Sequence, residues 1–262
     1  DGGTLAQRLR EAILRTLGDA WPDRVLAGRR PILDRFSRMV KRWRGEERDG
    51  HIIVGNHHDS AGQVRFFRGL IGPDGIHGVT RVALEQFHAD GSWSGPSHVD
   101  QQGEHEELAR YFASADAQAL ATLTEAQERR NYTAWRYDYL GELMGILPAS
   151  RGMDVRVWGC DMPRPLEERL RVPGEKLNRL RELHCFMSLA TVDPLSEQDI
   201  SMLFWGAAHA MSRGYRRFIP LEDRVATIIL VGQRHNPHSL EGRLASSLIV
   251  NDPILVSLDE SG

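Results

Sequence analysis

The feature that most restricts the fold of this chain is His51-Ile-Ile-Val-Gly-Asn-His-His-Asp-Ser60, a short β-branched run that breaks at glycine into two histidines and an aspartate. An apolar run of that length without alternation reads as a strand buried on both faces, the habit of parallel sheets covered by helices. Open α/β sheets place their ligands just beyond the carboxyl ends of such strands. His58 is therefore the first candidate for chemistry. Far down the chain, Ile200-Ser-Met-Leu-Phe-Trp-Gly-Ala-Ala-His209 repeats the device: an apolar run, a glycine, two residues and a histidine. Two such strand ends point to one shared site.

Further strands follow from the same pattern. Val79 to Phe87 carries Glu85 near its carboxyl end among apolar neighbours, where a carboxylate is costly unless partnered. Glu85 either salt-bridges a nearby arginine or faces His58 across adjacent strand ends. Asp154 to Asp161 is the next strand; Pro163 and Pro165 read as the start of a loop, which leaves Asp161 on the same edge. Arg224 to Val231 and Pro253 to Leu258 complete the set.

Helical spacing marks Leu5, Leu9, Ile13 and Leu17 behind a Thr4 cap, and Ile32, Phe36, Met39, Val40 and Trp43 behind Pro31. It also marks Val64, Phe67 and Leu70 behind Ser60, a cap that would aim a positive helix end at His58. Glu104 to Leu147 is helical almost throughout, and its stripe of Tyr132, Trp135 and Tyr139 reads as core; the alternative makes Tyr132, Tyr137 or Tyr139 a pocket wall or a haem-iron ligand. Leu177, Leu180, Leu183 and Phe186 give a later helix, whose Arg181-Glu182 is either a solvated pair or a means of putting Arg181 into the cleft to hold an anion. Residues 88 to 103, with Trp93, His98 and the neighbouring His105, read as a long loop over the same edge, and His235 and His238 lie in another polar loop. Strands that alternate with helices argue for an α/β fold, a three-layer sandwich with a mostly parallel central sheet flanked by helices.

With 262 residues and 41% hydrophobic content, one domain covers the chain, residues 1–48 forming a helical extension packed on it. The 33 basic and 36 acidic residues nearly cancel, so no basic field for nucleic acid follows. The expected partner is a small-molecule or peptide substrate. No apolar run reaches the roughly 18 residues that a membrane span needs. A cytoplasmic location is favoured, with secretion or lipid anchoring left open because the chain begins at Asp1. Cys160 and Cys185 are the only cysteines and are expected as two buried thiols, a disulfide being the alternative.

Gly55-Asn-His-His-Asp59, the Val-Ala-Leu-Glu85-Gln-Phe strand, and Phe-Trp-Gly206-Ala-Ala-His209-Ala followed by Pro220-Leu221 resemble the superfamily that joins erythromycin esterases, ChaN-type haem-uptake proteins and Tiki/TraB proteins. The Cys160-Asp161-Met162-Pro163 strand end and Arg181-Glu182 are more weakly similar. The resemblance covers about residues 50 to 221. It implies an α/β fold with the site at the carboxyl edge of the sheet, His58 as the first-motif histidine, Glu85 as the strand acid and His209 as the second-motif histidine. Its branches imply water activation by histidine, metal-dependent peptidase chemistry, or haem binding. The first motif departs from the family in one place: Asn56 follows Gly55 where Glu is frequent.

The chemistry can also be built from the residues. A histidine that titrates near neutrality takes a proton from water, and Glu85 within reach would fix its tautomer. His209 would protonate the leaving group or steady an oxyanion, with Arg65, Arg68 or Arg181 adding fixed positive charge and Asp161 and Tyr139 lining the cleft. His58, Glu85 and His209 are alternatively a set of ligands for a divalent metal. The expectation is a hydrolase-like enzyme acting on an ester, lactone or amide, with natural products among the candidate substrates; the rival is a haem- or metal-binding uptake protein without turnover.

Overall fold

The computed structural model describes residues 25–27, 29–47, 49–56, 61–88, 142–143, 145–191, 199–210, 225–232 and 254–258, with isolated positions 7, 11, 110 and 118. Its strands are β1 (Val25–Ala27), β2 (Gly50–Asn56), β3 (Arg81–His88), β4 (Arg156–Asp161), β5 (Ile200–Gly206), β6 (Val225–Gly232) and β7 (Ile254–Leu258). Its helices are α1 (Arg30–Gly45), α2 (Ala61–Ile71), α3 (Ile146–Gly152), α4 (Arg164–Leu170), α5 (Gly174–Thr191) and α6 (Ala207–Ala210). The helix expected over residues 4–17, most of that over 104–147, and the loops with Trp93, His98, His105, His235 and His238 lie outside the described residues.

All seven strands join one sheet in the order β1-β7-β6-β2-β5-β3-β4, and every pair is parallel. Every residue of β2, β3 and β5 is buried, as expected of parallel strands covered on both faces. From β2 the chain leads towards β3 on one side, whereas from β5 it leads to β6 on the other. β2 and β5 are neighbours, so this reversal opens a crevice at their carboxyl ends, the place where such sheets hold ligands.

Parallel register puts alternate residues on two faces. Ile52, Val54, Val82, Leu84, Met202, Phe204, Ile228 and Leu230 form one core with Ile32, Phe36, Val40 and Trp43 of α1 and Val64, Phe67 and Leu70 of α2. Phe67 stacks on Phe204 with ring centroids 4.4 Å apart. The N-terminal segment is thus more than an appendage: α1 fills this core and β1 extends the sheet beside β7. Three residues, Val-Leu-Ala, are too short a run to stand out in a sequence. Ile53, Ala83, Leu203 and Ile229 point to the opposite face, which α5 and α6 approach.

Two glycines let backbones come close. A Cβ on Gly55 would lie 2.9 Å from Ala210 Cβ and 3.2 Å from Ala207 Cα, so α6 rests directly on β2. Between Leu84 and His88 the register with β4 shifts: β3 advances from 84 to 88 while β4 advances only from 159 to 161. This bulge crowds Gly159, where a Cβ would collide with the His88 carbonyl oxygen and sit 2.6 Å from that of Phe87. Bulges re-aim side chains at the ends of strands, and this one contains Glu85. Gly159→Ala is expected to lower stability by about 1–3 kcal/mol in urea denaturation, because backbone carbonyls cannot rotate away from the added methyl. An unchanged midpoint would show that β3 is not held against β4 in this way.

The prolines after Asp161 do not open a loop. Pro165 lies in the first turn of α4, where a missing N–H costs nothing because no intrahelical acceptor exists for it. Among the described residues no helix is long and apolar enough to cross a membrane.

Candidate active site

Five ionisable side chains meet where β3, β4 and β5 end. Glu85 comes from the bulge of β3, Asp161 from the last position of β4, His209 from α6 directly after β5, and Arg181 and Glu182 from α5. Together with Cys185 and Trp205 they line one recess. Glu85 accepts a hydrogen bond from the Gly206 backbone N–H, which ties the acid to the turn that launches α6. The glycines of the two Gly-x-x-His segments therefore act differently, Gly55 by making room for α6 and Gly206 by anchoring Glu85.

His209 is held from both sides. Its Nδ1 lies 2.9 Å from Glu182 Oε1 and its Nε2 lies 3.1 Å from Glu85 Oε1. Burial by itself lowers the His209 pKa, but the hydrogen bonds to Glu182 and Glu85 more than reverse this and push it up to about 10. At neutral pH the ring is an imidazolium that donates from both nitrogens. Arg181 forms a two-pronged contact with Asp161, Nε to Oδ1 at 2.8 Å and Nη2 to Oδ2 at 2.5 Å, and its Nη2 is 3.9 Å from Glu85 Oε1. Burial disfavours the charged guanidinium, yet Asp161 and then Glu85 outweigh it and raise the pKa, so Arg181 stays charged. Asp161 also accepts from the Met162 N–H at 2.8 Å, and the buried His88 lies 3.9 Å away from it. Three carboxylates face two cations, which leaves one negative charge in excess when all are ionised.

A pH dependence follows. A histidine whose pKa is about 10 when folded and ordinarily 6.5 adds stability that is complete below about pH 6.5 and fades as the pH rises through about 10. Between these limits wild-type protein is expected to lose stability to alkali faster than His209→Gln, by on the order of 1 kcal/mol per pH unit. Urea midpoints of both proteins from pH 6 to 10.5 test this; parallel curves would show that the imidazole is not charged in the folded state.

Of the residues singled out in the sequence, Glu85, His209, Asp161 and Arg181 are brought together. Arg65 and Arg68 stand on α2 and pair with Glu142 at 3.1 and 2.9 Å, apart from the cluster. His58 and Tyr139 lie outside the described residues, as do Asp59 and Ser60. Asn56, opposite Gly206 in register, is buried and donates from Nδ2 to the Trp205 carbonyl oxygen at 2.6 Å, stitching the ends of β2 and β5. Sequence reasoning missed Glu182, the second carboxylate on His209, and His88. It also favoured free thiols, whereas Cys160 and Cys185 are joined in a disulfide, their Cα atoms 4.7 Å apart.

The described donors do not fit a metal ion as they stand. His209 has both ring nitrogens on carboxylates, and among the described residues no three His, Cys, Asp or Glu side chains are grouped to hold one. No family model, curated protein or solved structure matches the chain.

Proposed function

We propose that this chain is a hydrolase-like enzyme that activates water against an ester, lactone or amide. The observation that carries the reading is the imidazole of His209 clamped between Glu85 and Glu182 in a recess at the carboxyl edge of the sheet. Burying ionisable groups opposes folding unless they are mutually paired, and the raised pKa values of His209 and Arg181 in this recess are of the kind found in catalytic clefts. In this reading His58, beyond the end of β2, takes the proton from water. His209, already charged, supplies a proton to the leaving group once a substrate oxygen displaces one of its carboxylates. Glu85 and Glu182 orient the ring, and Arg181 with Asp161 fixes the surrounding charge. The likeness of the strand-end motifs to erythromycin esterases and their relatives supports the same class of reaction.

The test is turnover of a panel of aryl esters, lactones and peptide amides. Activity on one member, lost in His58→Ala and in His209→Ala while circular dichroism is unchanged, supports the assignment; full activity in either variant defeats it. A Soret band that grows on adding haemin, with no member of the panel cleaved, would replace the enzyme with a haem-binding uptake protein.

A further inference from the structure

Among the described side chains of α5, only Glu182 and Cys185 are buried. Leu177, Leu180 and Leu183, expected as its core-facing stripe, are half-buried. A strict three-residue spacing drifts by about 60° per step around a helix of 3.6 residues per turn, so these leucines trail around the helix to the side away from Glu182 and Cys185. Among the described residues, Arg181, Glu182 and Cys185 belong to the face that meets the sheet, Cys185 lying four residues after Arg181 and three after Glu182. Each has its partner on the sheet side: Asp161 for Arg181, His209 for Glu182, and Cys160 for Cys185. Cys160 immediately precedes Asp161, and its carbonyl oxygen lies 3.2 Å from His184 Nδ1 of the same helix.

We propose that the Cys160–Cys185 disulfide is a positioning element of the site, clamping one turn of α5 against the end of β4 so that Arg181 and Glu182 reach Asp161 and His209. The covalent link takes the place of an apolar seam, which the described side chains of α5 do not form. Among the described residues, the groups that face His209 are Glu85 from β3 and Glu182 from α5, with the Trp205 ring of β5 centred 6.0 Å away and the Arg181–Asp161 pair beyond Glu85. Loss of the clamp draws Glu182 away from the ring and leaves Glu85 as the one carboxylate among these on it. This deepens the site reading above, but its readout is ionisation and not turnover, so failure of the hydrolase assignment leaves it standing.

Peptide mapping without reduction first establishes the link; free thiols at both positions overturn the proposal. NMR titration of isotope-labelled histidine, with the His209 signal assigned through His209→Gln, then compares wild type with a Cys160→Ala, Cys185→Ala double variant. The expected result is a His209 midpoint lower by about one unit or more, a tenfold change in its ionisation constant. Glu182→Ala in the disulfide-bonded chain supplies the reference for complete loss of that contact. Should the double variant fail to fold, wild type is titrated in excess dithiol, which reduces the link to two thiols and closes to its own cyclic disulfide. A midpoint that stays where it was in the folded, disulfide-free protein overturns the proposal and leaves the link a mere brace.

Discussion

Replacing Arg181 with Met is expected to destabilise the protein by about 3 kcal/mol, towards the lower end of what stranding one member of a buried ion pair costs. Methionine keeps much of the aliphatic stem but removes the fork that holds both oxygens of Asp161, a residue only 1% exposed. Among the described residues, what remains for Asp161 is the Met162 N–H and a histidine 3.9 Å away, too little to solvate a carboxylate. Arg181 itself is 23% exposed at its side chain, so water reaches part of the site and moderates the loss. Adding Asp161→Asn to the variant removes the stranded charge and is expected to recover a large part of the stability, a coupling that a double-mutant cycle measures directly. If Arg181→Met alone unfolds within about 0.5 kcal/mol of wild type, the pair is solvated and Asp161 does not depend on the guanidinium.

The second large effect is on chemistry. On whichever substrate the panel identifies, His209→Gln is expected to lower turnover by about a hundredfold to ten-thousandfold, the range for losing a positioned acid–base group. Glutamine retains polar atoms but no positive charge, so Glu85 and Glu182 face each other without a cation between them. Glu182→Gln is expected to be milder, because Glu85 still holds the ring. Equal losses in the two variants would mean that Glu182 does more than orient. A turnover rate unchanged in His209→Gln would move the chemistry elsewhere on the sheet edge.

Much of this architecture is legible in the amino-acid sequence, and the parts that are not have physical causes. The interior strands β2, β3, β5 and β6 announce themselves through the apolar run that each contains, since burial on both faces leaves little polar alternation to confuse them. Their order does not: nothing local to Ile52 says that it lies between Met202 and Ala226. Glu85 and His209 can be named because polar residues ending apolar runs are conspicuous, and Asp161 because it ends β4. Glu182 is hidden by the leucines around it, whose spacing suggests a core face that the helix does not present. A clue exists in the two cysteines. One adjoins Asp161 and the other follows Arg181-Glu182 by a single turn, so pairing them folds α5 over the end of β4 and delivers Glu182 to the recess. Treating them as independent thiols discards that information.

The place of β2 between β5 and β6 also bears on how the chain reaches this structure. Its partners begin at Ile200 and Val225, about 150 residues or more after Gly50. During synthesis a fully buried central strand is therefore made early and must wait, both edges open, until most of the polypeptide has followed it. Closure of such distant pairs is slow, and an unpaired strand in the interval is prone to join the wrong neighbour. Assembly of the central sheet is accordingly a late event, and the chain depends on protection of its own nascent middle until β5 and β6 arrive.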